Sequence, residues 1–104
     1  MLRRALIIIT IIAITGSLAG CSAREEAYLN LAETIIDLGE DFLMDVMFPL
    51  VLPHVRMGEE VNLLDPNDVS RMLRRLDNHD WDWLFSRLSG DDLIRITQLY
   101  EAIP

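Results

Sequence analysis

The sequence predicts an all-α protein, with one long amphipathic N-terminal helix followed by three or four short helices in a small bundle. Three observations carry this. Apolar residues recur at helical spacing through most of the chain after Cys21. No stretch alternates apolar and polar residues with period two, and none contains a hairpin dipeptide. Capping residues stand where the periodic runs begin, at Ser22, Asp65 and Ser89. A chain of 104 residues makes at most one small domain.

The first twenty residues differ from the rest. Arg3 and Arg4 open them with positive charge, and Ala5 to Ile14 carries no charge, with six isoleucines in ten residues. As a helix, Ala5 to Thr15 rises only about 16 Å, against about 30 Å for a bilayer's hydrocarbon core. Gly16 to Gly20 is a run rich in small residues, which completes the three-part order of an export signal. The next residue is the chain's single cysteine. Leu18-Ala19-Gly20-Cys21 resembles the lipobox of bacterial lipoproteins at all four positions.

That resemblance implies a diacylglycerol on the Cys21 sulfur, cleavage between Gly20 and Cys21, and a fatty acyl chain such as palmitate on the new amino group. A thiol suits the role because it is the strongest nucleophile among the ordinary side chains, and its small neighbours leave it open to an enzyme. Residues 1–20 are then a lipoprotein signal peptide, and residues 21–104 a small acidic helical periplasmic domain. The covalent lipid is the only non-protein group expected. At about 0.8 kcal/mol per buried CH₂, two or three acyl chains hold the protein on the membrane almost permanently. By resemblance to enterobacterial lipoproteins, Ser22 after the cysteine implies the outer membrane, facing the periplasm, with the inner membrane as the alternative. The competing reading is an uncleaved anchor with an incidental cysteine.

Ser22 and Glu25 fit a capping box, which would start the first helix one residue beyond the lipid. Its apolar stripe runs through Tyr28/Leu29, Ala32, Ile35/Ile36, Phe42/Leu43 and Val46/Met47, with Glu26, Asn30, Glu33, Asp37, Asp41 and Asp45 opposite. Gly39 falls within the stripe, where the missing side chain would admit a crossing helix; the cost in a helix is about 1 kcal/mol. Pro49 and Pro53 are expected to close or kink this helix. Phe48 to Leu64 is too apolar for a solvated linker and should pack over the core, with a short helix around Glu59 to Leu64.

Asp65-Pro66-Asn67-Asp68 reads as an N-cap, a proline at the first helical position and an early carboxylate. Val69, Met72, Leu73 and Leu76 form the face that follows. A break at Asn78-His79 precedes Trp81, Leu84, Phe85 and Leu88. Ser89-Gly90-Asp91-Asp92 then repeats the capping pattern before Leu93, Ile96, Leu99, Tyr100 and Ile103.

All seventeen acids lie after Cys21, so the domain from Cys21 onward sets seven arginines against them, a formal charge of minus ten. Such a surface repels phosphate backbones and excludes nucleic acid as a partner. No catalytic constellation stands out. His54 and His79 lie in different segments without metal-pair spacing, and Ser22, Ser70, Ser86 and Ser89 are in no nucleophile-elbow setting. Asp77, Asp80 and Asp82 lack the glycine and terminal acid of a calcium loop, so they read as a helix-capping turn.

Four residues are candidates for partner binding: Arg71, Arg74, Arg75 and Trp83. The arginines form a basic patch on an acidic domain; the plainer account is a solvated face paired with Asp68 and Asp77. Trp83 lies about 200° round its helix from Trp81, and serves equally as an interface anchor or as cover for the apolar connector. Met44, Met47, Met57 and Met72 suggest either an adaptable groove or scattered core filling. Together these features point to a non-enzymatic protein-interaction lipoprotein in the periplasm, with a pilot, accessory or modulator role towards a periplasmic or outer-membrane protein. The alternative is a phage- or plasmid-encoded exclusion or lysis lipoprotein.

Overall fold

A computed structural model describes residues 23–104. The expected signal peptide, the expected cleavage between Gly20 and Cys21, the expected lipidation of Cys21 and the expected Ser22 cap all fall outside the described residues. Every regular element among the described residues is helical. Helix α1 spans residues 23–37. Helix α2 is a continuous stretch of three parts, Glu40–Phe42, a π-helical turn Leu43–Met47, and Phe48–Arg56. Helices α3 (Pro66–Leu73), α4 (Asn78–Ser86) and α5 (Gly90–Glu101) complete the chain.

The predicted long N-terminal helix is divided. It stops at Leu38, and Gly39 sits at φ 110°, ψ 169°, a backbone conformation essentially reserved for glycine. The Gly39 carbonyl accepts the Leu43 N–H at 3.1 Å, so the same residue starts α2. A Cβ added at Gly39 would meet nothing within 4 Å. Its role is therefore to turn the chain, and the expected close helix crossing at this position is corrected.

The prolines do not end the helix either. Pro49 and Pro53 lie inside Phe48–Arg56. Each lacks an N–H and crowds the carbonyl four residues before it. The π turn immediately before Pro49 closes its bond over five residues, from Phe48 N–H to Leu43 C=O, and this wider turn relieves that crowding. Burial of Val46, Met47 and Val51 on one face supplies the stabilisation that the missing hydrogen bonds do not. The helix ends in a Schellman motif. Gly58 N–H bonds Val55 C=O at 3.0 Å and Glu59 N–H bonds His54 C=O at 3.1 Å, with Gly58 at φ 93°. The expected short helix at Glu59 to Leu64 is absent; those residues form a turn. Asn62 shapes it, accepting the Leu64 N–H on Oδ1 at 3.0 Å, while the Asn62 N–H donates to Asp68 at 2.8 Å.

The later caps follow the sequence more closely. Asp65 accepts the Asn67 N–H at 2.9 Å, ahead of Pro66. Asp77 and Asp80 form a reciprocal capping box, so α4 begins at Asn78 and the break expected at Asn78-His79 falls just before them. Ser89 occupies the N-cap position of α5, but its side chain makes no capping bond; Gly90, next in line, is at φ 57°.

One apolar cluster joins all five helices. It contains Leu31, Ala32 and Ile35 from α1, Leu43, Val46 and Met47 from α2, Val69 and Leu73 from α3, Trp81 and Leu84 from α4, Leu88 just beyond it, and Ile96 from α5. Trp81, Phe85 and Tyr100 pack as an aromatic trio with centroids 4.6 to 5.8 Å apart, tying α4 to α5. Each such pair adds about 0.5–1.5 kcal/mol beyond its buried area.

Candidate functional site

The basic patch resolves into two different contacts. Arg71 and Arg75 are one turn apart on α3 and its C-terminal end, and both reach back over the turn that follows α2. Arg75 Nη1 donates to Glu59 Oε2 at 2.6 Å, and Arg71 Nη2 donates to the Glu60 carbonyl at 3.2 Å. Arg71 also pairs with Asp68 at 3.4 Å, and His54 Nδ1 lies 4.0 Å from Glu59 Oε1. The hydrogen bond from Arg75 holds the Glu59 carboxyl below its ordinary value of 4.5, and Glu59 in turn raises Arg75. The hollow above this clasp, about 550 Å³, is lined by Glu59, Glu60, Asp68, Arg71 and Arg75. Arg74 turns elsewhere: its guanidinium carbon sits 5.7 Å from the centroid of Tyr28 on α1. Of the two acids expected to pair with these arginines, Asp68 does so, whereas Asp77 is engaged in the α4 cap.

Trp83 belongs to neither contact. It is half-buried against the core cluster, and the Arg87 guanidinium carbon lies 5.1 Å from its ring centroid. It lines a separate hollow with Pro49, Leu50, His79 and Asp80. The four candidates are therefore spread over three places. His54 and His79 are also apart, the first beside Glu59 and the second beside Trp83.

A groove not foreseen from the sequence lies at the α1–α2 corner. Its volume is about 350 Å³, and Ile36, Glu40, Leu43, Met44, Leu63 and Leu64 line it. Leu43 is buried and forms its floor, while Met44 is 52 % and Leu64 71 % exposed. The methionines divide accordingly: Met47 and Met72 fill the core, and Met44 and Met57 face outward. A sequence signal existed in the surplus of apolar residues over the stripe positions, but locating the groove required the chain reversal that brings residue 36 beside residue 64.

Along the α1–α2 stretch that forms one side of the groove, the charge is of one sign. Between Glu25 and Val55 the chain has seven carboxylates and no lysine or arginine. Asp37, Glu40, Asp41 and Asp45 are exposed, and among the described residues none of the four is in an ion pair. Two acids of the Glu59–Asp68 region, by contrast, pair with arginines of α3 and its C-terminal end: Glu59 with Arg75 and Asp68 with Arg71.

No protein-family model, curated protein or solved structure matches the chain.

Proposed function

We propose that this chain is a lipoprotein anchored through Cys21 at the periplasmic face of the outer membrane, where its small helical bundle acts as a non-enzymatic protein-interaction module. The observation that carries the proposal is the four-residue match Leu18-Ala19-Gly20-Cys21 after a short apolar run too brief to span a bilayer. The structure supports it at one remove. Helix α1 is already formed at residue 23, so almost no tether separates the lipid from the folded domain. A formal charge of minus ten then opposes contact with an anionic leaflet. The domain is thereby directed away from the lipid surface and towards proteins.

The polar clusters have structural work. Asp77 and Asp80 cap α4; His54, Glu59, Arg71 and Arg75 fasten the α2–α3 turn. What is left on offer is apolar surface, at Met57, Leu64, Ile94 and Met44 above all. No helix among the described residues is long and apolar enough to cross a membrane.

The experiment is photo-crosslinking in the native cells, with a benzophenone side chain placed at Arg75, at Trp83 and at Met44 in separate variants. Discrete adducts with one periplasmic or outer-membrane protein, lost when Cys21→Ser removes the anchor, are expected. Absence of any protein adduct at all three positions, with lipidation intact, would overturn the module reading. Cell lysis on expression, or exclusion of an incoming phage or plasmid, would replace it with the exclusion or lysis reading.

A further inference from the structure

We propose that the groove at the α1–α2 corner docks a basic amphipathic segment of a protein partner, with apolar side chains seated between Met44, Leu63 and Leu64 and cationic flanks on the surrounding carboxylates. This deepens the interaction-module reading and rests on it.

The groove is built on a fixed frame. Gly39 sets the corner, Leu43 closes the floor from the core, and the Asn62 turn holds Leu63 and Leu64 in place through its bonds to Leu64 and Asp68. Because the backbone that carries these side chains is already ordered, a ligand that covers them has to fix side-chain rotamers, Met44's above all, but not the loop itself. Phe48, one turn beyond Met44 on α2, is 38 % exposed and extends the apolar strip along the helix. A strip with this i, i+4 spacing beside a groove suits an amphipathic helix laid into it.

Charge selects among the possible occupants. Glu40 lines the groove, Asp37 adjoins Ile36, Asp41 follows Glu40, and Asp45 adjoins Met44. A second copy docked symmetrically on this same face would bring the same carboxylates against them, and an anionic bilayer would bring phosphates; both are repelled. A segment with lysine or arginine flanking its apolar face meets opposite charge at Glu40 and along the α1–α2 side of the groove. Because the rim acids are exposed, they would steer association and set the sign preference, while the apolar contacts supply the holding.

The test uses the full chain in zwitterionic nanodiscs with ¹³C-methyl methionine. The probe is an amphipathic helical peptide of leucine and lysine, with a second peptide of the same apolar pattern carrying glutamate for lysine. The Leu/Lys peptide should shift the Met44 methyl resonance saturably and leave Met47 and Met72, which are buried, in place. Met57, 82 % exposed and outside the groove lining, is the control and should stay unmoved. The Leu/Glu peptide should give no Met44 shift. Glu40→Lys combined with Asp45→Lys should weaken the Leu/Lys peptide by about tenfold, with unchanged Met47 and Met72 resonances certifying the fold. An unmoved Met44, equal responses to both peptides, or parallel shifts of Met44 and Met57 would each overturn the docking proposal. A cellular crosslink at Arg75 or Trp83 alongside any of these results would leave the module reading standing on another face.

Discussion

Replacing Gly39 by alanine distinguishes a bent α1–α2 corner from an uninterrupted helix by the sign of its effect. Gly39 is exposed, and an added Cβ would touch nothing within 4 Å, so the substitution introduces no clash and removes no packing. What it changes is the backbone. At φ 110° and ψ 169° an L-residue is held in a region essentially closed to it, at a cost of about 1–3 kcal/mol. Were residues 23–56 one straight helix, the same substitution would stabilise by about 1 kcal/mol through helix propensity. For a domain the size of residues 23–104, total stability is of order 4–12 kcal/mol. Each kcal/mol lost lowers the thermal midpoint by roughly 4–8 °C. The assay is urea and thermal unfolding of residues 22–104, wild type against Gly39→Ala, followed by far-UV circular dichroism. A lowered midpoint with an unchanged urea slope is expected. A raised midpoint would refute the corner and with it the groove that the corner creates.

Other perturbations have equally definite outcomes. Asp77→Ala removes one half of the capping box at α4 and should destabilise by about 1 kcal/mol, read from urea unfolding; an unchanged midpoint would mean that the box carries no net stability. The Glu59–Arg75 pair has a pH signature. Glu59 has a folded value depressed below 4.5, so its contribution is fully present above that pH and is lost as the pH falls through the depressed value. In a His54→Ala background, which removes the neighbouring imidazole, the stability difference made by Glu59→Gln should therefore be flat from pH 8 to about 5 and shrink below 4.5; a difference that grows on acidification there would contradict the pairing. Cys21→Ser should leave a precursor that keeps residues 1–20 and takes up no acyl label; normal processing in that variant would remove the lipoprotein reading.

The all-helical class was legible because the 3.6-residue period and the capping residues act locally. Asp65 and Asp77 each bond an amide within three residues, so a short window suffices to recognise a helix start. Gly39 misled for a related reason: a glycine fits both a packed helix and a left-handed corner, and only the surrounding tertiary contacts choose. Pro49 and Pro53 read as closing or kinking the helix; closure is ruled out, because the π turn and the burial of Met47 and Val51 carry the helix past them to Arg56. Leu31, fully buried, lay off the stripe drawn from the sequence because a helix enclosed by several neighbours buries more than a narrow face.

The surface was harder to read. The Arg75–Glu59 bond joins residues sixteen apart across a turn whose path the sequence does not specify. The patch formed by Arg71, Arg74 and Arg75 looked uniform in sequence, but α3 sends Arg74 to Tyr28 and the other two to the Glu59–Glu60 turn. The groove depends on Ile36 meeting Leu63 and Leu64, a pairing with no local periodicity to announce it.

The anchoring of a folded helical module through Cys21 is most directly tested by the intact mass of the protein extracted from native membranes. A mass equal to residues 21–104 plus a diacylglycerol and an acyl chain, with both additions located on Cys21 by fragmentation, is the predicted result. The unmodified mass of the full 104-residue chain, with Cys21 as a free thiol, would contradict the account.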